Sequence, residues 1–328
     1  MRICIYGLGA IGSLIAARLA AAGARVSAVA RGATLQAVRE RGIGLQDAAG
    51  GCTHVPLAAS DRPGELGPQD VVIVALKATA LTAAAQDIAA LMAPGTTLLS
   101  AMNGVPWWFF HGVPGALAGL RLESADPDGV LTRTLPPESV VGSVLHLSAA
   151  CPQPGVVRAV AGNRILLGEP AGGAGTPRLR ALVDALATAG FDAEGVPSIR
   201  QEIWFKLWGN MTVNPVSALT GATGDRILDD ELVRAFMSRC MAEAAAVGRR
   251  IGLDFAMLSE ERHAVTRQLG AFRTSMLQDV ETGKPVELDA LVATVREIAA
   301  AVQVPTPDID ALFGLARLHA RMRGLYPA

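Results

Sequence analysis

The chain has 328 residues, 51% of them hydrophobic and 18% charged, with a formal net charge of −1. That balance excludes global disorder, and without a dense basic run it argues against nucleic acid or a membrane surface as a partner. The length exceeds what one hydrophobic core usually holds, so two domains are expected.

The first element is a short apolar strand, Met1-Arg-Ile-Cys-Ile-Tyr6, and it runs directly into Gly7-Leu8-Gly9-Ala10-Ile11-Gly12. An Ala- and Leu-rich helix follows to about Gly23, and a second strand runs from Arg25 to Ala30. Strand, glycine turn, helix and strand in that order form the dinucleotide-binding fingerprint in its required context. Gly7 permits the tight turn, Gly9 lets the backbone approach a pyrophosphate, and Gly12 lets the helix pack close to the strand. The N–H groups of Leu8, Ala10 and Ile11 complete the expected phosphate cradle at the helix start. An NAD site carries an Asp or Glu at the end of the second strand, whereas this chain has Ala30 and then Arg31. A guanidinium there suits a 2′-phosphate, so NADPH/NADP is the expected cofactor; otherwise Arg31 is an ordinary surface charge. Residues 3–30 are apolar enough to imitate a leader, but glycines and Arg18, Arg25 and Arg31 break the stretch, so no membrane span is expected.

Further along, residues 33–41 read as a short amphipathic helix, and the Gly-rich stretch around Gly42–Gly51 suggests a hairpin. The unbroken apolar run 70–76 has the pattern of a parallel strand buried on both faces, and Lys77 follows it. A helix over 79–92 stops at Pro94-Gly95, and a strand over 96–101 leads to Asn103-Gly104. Lys77 and Asn103 thus lie at carboxyl ends of parallel strands, where open α/β sheets bind ligands; Asn103-Gly104 is equally a simple turn signal. The block Trp107-Trp108-Phe109-Phe110 opens a stretch rich in Gly and Pro. It can cap a site, pack beneath a loop, or form an exposed interaction surface. Strands over 140–148 and 156–168, a helix over 177–189 and a strand over 191–196 follow. Only helical periodicity remains after Ser198, in five or six segments.

The expected architecture is therefore α/β: a Rossmann-type doubly wound sheet over 1–196 and an all-helical substrate domain over 197–328. Cys4, Cys52, Cys151 and Cys240 are scattered without C-x-x-C spacing, and the five histidines form no H-x-x-x-H pair. No metal and no disulfide framework are expected, and a reducing cytoplasm is the simplest setting. A helical domain with an apolar face serves a monomer and a homodimer alike.

The helix beginning near Ile199 carries Lys206, Asn210 and Asn214. Steps of four residues drift only about 40° each, so the three share one face. Apolar residues surround them, and burying three such polar groups unpaired costs several kcal/mol. They face either solvent or a polar ligand. Asn214-Pro215 should kink or end the helix, because a residue before proline avoids helical geometry. A positioned ammonium suits carbonyl reduction, since hydride attack builds negative charge on oxygen that a lysine can stabilise and protonate. Ser275 and Glu287 join the candidates in Thr274-Ser-Met-Leu-Gln-Asp279 and Pro285-Val-Glu-Leu-Asp289; alone, one is an exposed helix hydroxyl and the other a first-turn acid.

Taken together, these motifs resemble the ketopantoate reductase (2-dehydropantoate 2-reductase) family. The glycine turn with Arg31, Leu76-Lys77, Asn103-Gly104, Lys206 to Pro215, Ser275 to Asp279 and Glu287 to Asp289 carry the likeness in order along nearly the whole chain. The resemblance implies NADPH between a Rossmann domain and a helical domain of the 6-phosphogluconate dehydrogenase C-terminal type. By it, Lys206 is the general acid, Glu287 assists substrate binding or proton transfer, and Asn210, Asn214 and Ser275 hold a small 2-oxo acid. Lys77 and Asn103 would contact cofactor and substrate near the hydride. The default reaction is ketopantoate to pantoate, in pantothenate biosynthesis. A β-hydroxyacid-type dehydrogenase and a non-catalytic NADPH-binding protein are the alternatives. The chain departs from the family pattern at Val105 to Phe110 and at Gly224, where the family commonly has a substrate-binding asparagine.

Overall fold

The computed structural model describes residues 1–254 and 256–327. Two compact units emerge: 1–102, 108–119 and 129–199 form a sheet unit, and 103–107, 120–128 and 200–328 a helical one. The expected contiguous division at 196/197 is thus interrupted, because two loop segments that follow the strand at 97–100 group with the helices. Their anchors, given below, lie far away in sequence.

The sheet unit contains β1 (Arg2–Tyr6), α1 (Ala10–Ala21), β2 (Arg25–Val29), α2 (Gly32–Arg41), β3 (Ile43–Gln46), β4 (Cys52–Val55), β5 (Ala58–Ser60), β6 (Val71–Val74), α3 (Leu81–Ala89) and β7 (Thr97–Ser100). It continues with α4 (Val130–Thr134), β8 (Val140–Gln153), β9 (Val156–Gly168), α5 (Pro177–Thr188) and β10 (Asp192–Gly195). The strand order is β4-β3-β9-β8-β7-β6-β1-β2-β5, with β10 beside β9. From β5 to β8 the strands are parallel, in the doubly wound order of a dinucleotide-binding sheet. The β8–β9 hairpin extends that sheet, and β3 joins it by pairing parallel to β9.

Helix α1 packs against β1, β2, β3, β8 and β9, which explains why it is apolar all round. Leu14, Ile15, Ala16, Ala17 and Leu19 are all buried. β6 reads Val71-Val-Ile-Val74 and is buried throughout, as its continuous apolar run requires. The aromatic block is interior: Trp107, Trp108, Phe109 and Phe110 are at most 4% exposed. Trp108 lies over β8, where a Cβ on Gly142 would come within 2.3 Å of its ring, and Phe109 meets Phe110 edge-to-face at 5.2 Å. An exposed interaction surface is therefore excluded there; each ring contributes about 3 kcal/mol by leaving water.

The helical unit holds α6 (Ile199–Thr220), α7 (Gly224–Asp229), α8 (Glu231–Arg250), α9 (Ser259–Arg267), α10 (Ser275–Glu281), a π-turn at Asp289–Ala293, α11 (Thr294–Ala301) and α12 (Pro307–Met322). Helix α6 does not end at Asn214-Pro215 as expected; it continues to Thr220. Proline removes one backbone donor, but Met211, Val213, Val216 and Ala218 are all buried around it. That packing outweighs the local preference. No helix among the described residues is long and apolar enough to cross a membrane, and all four cysteines are free thiols.

Candidate active site

In the sheet unit the glycine turn has three distinct requirements. Gly7 has φ +103°, and a Cβ there would lie 2.7 Å from Leu76 Cδ2. A Cβ on Gly12 would lie 2.0 Å from the Gly7 carbonyl oxygen, so α1 starts in direct contact with the turn. Gly9 is different: it is exposed, has no atom within 4 Å of its missing side chain, and caps α1 without a side-chain acceptor. With no acid in the first turn either, the helix-start N–H groups are available to an anion. This arrangement fits the pyrophosphate of a dinucleotide.

At the end of β2, Arg31 caps α2, whose N-terminus also lacks a side-chain acceptor. Its guanidinium is 74% exposed and lies 3.5 Å from Asp87 on α3. The Tyr6 hydroxyl donates to the same carboxylate at 3.1 Å. Burial and the Asp87 charge push Tyr6 up to about 12. Asp87 and Tyr6 could not be picked out from the sequence, since nothing local links residue 87 to residue 31. Lys77 is half-buried just past β6, at the start of a 3-10 turn over Ala78–Ala80.

In the helical unit the site is built on α6. Residues two apart on a helix point about 200° apart. Trp204 and Trp208 face α8, where their indole N–H groups donate to the carbonyls of Ala244 at 3.3 Å and Met241 at 2.6 Å. Those contacts rotate Lys206 and Asn210 to the opposite side. Lys206 is half-buried, and its Nζ donates to Asn103 Oδ1 at 2.8 Å. Burial pulls the ammonium down to about 8, and the Glu287 charge opposes that shift. Glu287 is buried.

Asn103 is held there by backbone geometry. Gly104 has φ +84°, and a Cβ on it would strike the Ala290 carbonyl oxygen at 2.3 Å. That oxygen accepts from Val105 N–H at 2.9 Å and from the Thr294 hydroxyl at 3.0 Å. Ala290 belongs to the π-turn, a deformation that frees backbone groups for outside partners and often marks functional sites. The second loop segment is anchored one turn later: Glu297 accepts from the N–H groups of Glu123 at 2.6 Å and Ser124 at 3.0 Å.

The structure therefore brings Lys206, Asn103 and Glu287 together. Asn214 is buried one turn beyond Asn210, and Ser275 opens α10 with an exposed side chain behind the Thr274 cap. At Gly224 the ring of Phe272 lies within 2.0 Å of where a Cβ would be, and Gly224 N–H donates to the Phe272 carbonyl. A side chain at 224 would require that ring to move aside. Arg262 lies similarly over Gly209, 5.5 Å from the Phe205 ring. A cavity of about 520 Å³ lies between the 123–127 loop and α11, lined in part by Asp289, Arg296 and Glu297, but none of the expected site residues lines it.

Two family profiles cover the chain: "Ketopantoate reductase PanE/ApbA" matches residues 3–172, and "Ketopantoate reductase PanE/ApbA C terminal" matches 198–320. A 2-dehydropantoate 2-reductase of Mesorhizobium japonicum is 44% identical over 327 residues, 99% of this chain and all of that one. The chain belongs to the ketopantoate reductase family. A solved Ralstonia solanacearum MolK2 protein, provisionally assigned as a ketopantoate reductase, is 54% identical, covers 99% of both chains and superposes with a TM-score of 0.94. A Ralstonia eutropha JMP134 ketopantoate reductase of the same family shows 26% identity and a TM-score of 0.84, over 99% of this chain and 100% of that one. As a member of the ketopantoate reductase family the chain is an oxidoreductase that acts on a CH–OH group with a nicotinamide cofactor.

Proposed function

We propose that this protein reduces a small 2-oxo acid with NADPH, ketopantoate to pantoate being the default reaction. The observation that carries this reading is the ammonium of Lys206, desolvated, held at 2.8 Å by Asn103 and within the field of Glu287. The cofactor, when bound, supplies the hydride. The glycine turn and the open start of α1 would hold its pyrophosphate, and Arg31 with the uncapped start of α2 would hold a 2′-phosphate.

Hydride addition to a ketone places negative charge on oxygen, and Lys206 Nζ stabilises that charge and gives up its proton. A pKa near 8 keeps the ammonium protonated at neutral pH while making it a better acid than a solvated lysine. Asn103 orients Nζ without competing for the proton, because an amide oxygen only accepts. Glu287 keeps the site charge-balanced around the ammonium. Asn210, Asn214 and Ser275 are the groups we assign to the substrate's carboxylate and hydroxyl.

A second substrate reading has its own support. The Phe272 ring fills the space beside Gly224, so an apolar wall stands where the family resemblance implies a substrate-binding amide. That wall favours a 2-oxo acid with an apolar substituent over one whose hydroxyl needs a partner. Initial rates of NADPH oxidation with ketopantoate, 2-oxoisovalerate and phenylglyoxylate decide between them. Ketopantoate turning over fastest supports the default reaction. Either of the others faster replaces the substrate, and no oxidation with any 2-oxo acid overturns the function.

A further inference from the structure

Two elements hold the residues that flank Glu287 in the chain. One is the π-turn with the Asn103-Gly104 loop, already described. The other is the chain after α12. That helix ends in a Schellman motif: Gly324 has φ +69°, its N–H donates to the Arg321 carbonyl, and Leu325 N–H donates to the Ala320 carbonyl at 2.9 Å. The reversal brings residues 325 and 326 against the segment containing Glu287. Val286 N–H donates to the Leu325 carbonyl at 3.1 Å. The Tyr326 hydroxyl donates to Asp289 Oδ1 at 2.5 Å.

These two hydrogen bonds fall on the residue before Glu287 and the second residue after it. Leu325 is buried and Tyr326 half-buried, with Arg321 5.7 Å from the Tyr326 ring and donating to the Pro327 carbonyl. Asp289 is also the first residue of the π-turn, whose next residue, Ala290, accepts from Val105 beside Asn103. A shift of Asp289 therefore moves both partners of Lys206, Glu287 through Leu288 and Asn103 through Ala290. Misplacing a catalytic group by about 1 Å costs orders of magnitude in rate.

We propose that Tyr326 is a positioning residue: its bond to Asp289 holds the 286–290 segment so that Glu287 and Asn103 bracket the Lys206 ammonium. The inference rests on the roles given above to Lys206 and Glu287. It extends the site to a residue that acts through Asp289.

The test is a double-mutant cycle on the full chain, measured with whichever 2-oxo acid of the panel turns over fastest. Tyr326→Phe should lower kcat about tenfold with the Kd for NADPH unchanged. Asp289→Ala should reproduce that loss, and Asp289→Asn, which keeps an oxygen acceptor for the hydroxyl, should restore most of it. Tyr326→Phe should cost clearly less in the Glu287→Gln background than in the wild type, because part of its effect runs through the glutamate and only the part carried by Asn103 remains. Fully additive losses overturn the proposal. So does a Tyr326→Phe protein that melts earlier but turns over normally per folded molecule, which marks a purely structural bond. Should Tyr326→Phe fail to fold, the Asp289→Ala and Asp289→Asn pair decides: equal activities overturn the proposal, and recovery in the asparagine variant supports it. A Glu287→Gln enzyme as fast as wild type counts instead against the role of Glu287 itself, and that arm is read independently.

Discussion

The two candidate sites are constructed in opposite ways. The glycine turn is mostly local: Gly7, Gly9 and Gly12 lie within six residues, Gly12 abuts the Gly7 carbonyl and Gly9 leaves open space. Ala75 and Leu76, just past β6, are the neighbours that press on Gly7 from outside the β1–α1 connection. The Lys206 site is non-local, since its three members come from positions 103, 206 and 287. Binding a pyrophosphate needs backbone N–H groups and an absence of side chains, and a short stretch of chain can supply both. Protonating an alkoxide needs a desolvated ammonium with a shaped field around it. That takes walls from several elements.

Three measurements test this division, which predicts that damage to one site leaves the other's readout intact. The largest effect is expected from Lys206→Ala, which should lower kcat roughly a thousandfold while Kd for NADPH is unchanged. A variant that turns over within a few-fold of wild type breaks the mechanism, and one that loses NADPH breaks the division. Next, Arg31→Ala should raise KM for NADPH about tenfold, with KM for NADH and kcat little changed. The effect is moderate because the guanidinium is exposed and already shares Asp87. Equal loss with both cofactors would show that Arg31 does not read the 2′-phosphate.

The smallest effect concerns pH. Reduction needs protonated Lys206, so kcat should be level below about pH 8 and fall as pH rises through that value. Burial lowers this pKa and the Glu287 charge raises it, so Glu287→Gln should move the falling limb to lower pH. A limb that stays in place, or moves upward, would show that the carboxylate does not act on this ammonium.

Most of the sheet unit was legible because its signals are short in range. β6 is a continuous run of Val and Ile, the β8–β9 hairpin closes at Pro154-Gly155, and α5 begins with Thr176 and Pro177. Pro215 shows where such signals fail: the dipeptide opposes helix, yet burial of the residues around it keeps α6 intact. The aromatic block shows the same limit, since four large rings in a row leave capping, packing and exposure all open until a glycine on a distant strand is seen to make room for one of them. Lys206 could be selected because an ammonium and two amides on one face of an apolar helix need a polar counterpart. Tyr326 could not: one tyrosine near the end of a helix has no distinguishing pattern, and its meaning depends on the turn at Gly324.

The sequence alone determined the glycine turn between β1 and α1, most of the sheet unit's strands and helices in order, and a helix face carrying one ammonium and two amides. Each follows from residues close enough in the chain to share a turn, a strand or a helix face, where bond geometry leaves few choices. Only the tertiary structure decided that two loop segments join the helical unit, that a phenylalanine stands beside Gly224, and that Asn103 accepts from Lys206 within the field of Glu287. Those outcomes depend on packing between residues tens to hundreds of positions apart, where a carbonyl freed by a π-turn or a missing Cβ settles which surfaces touch.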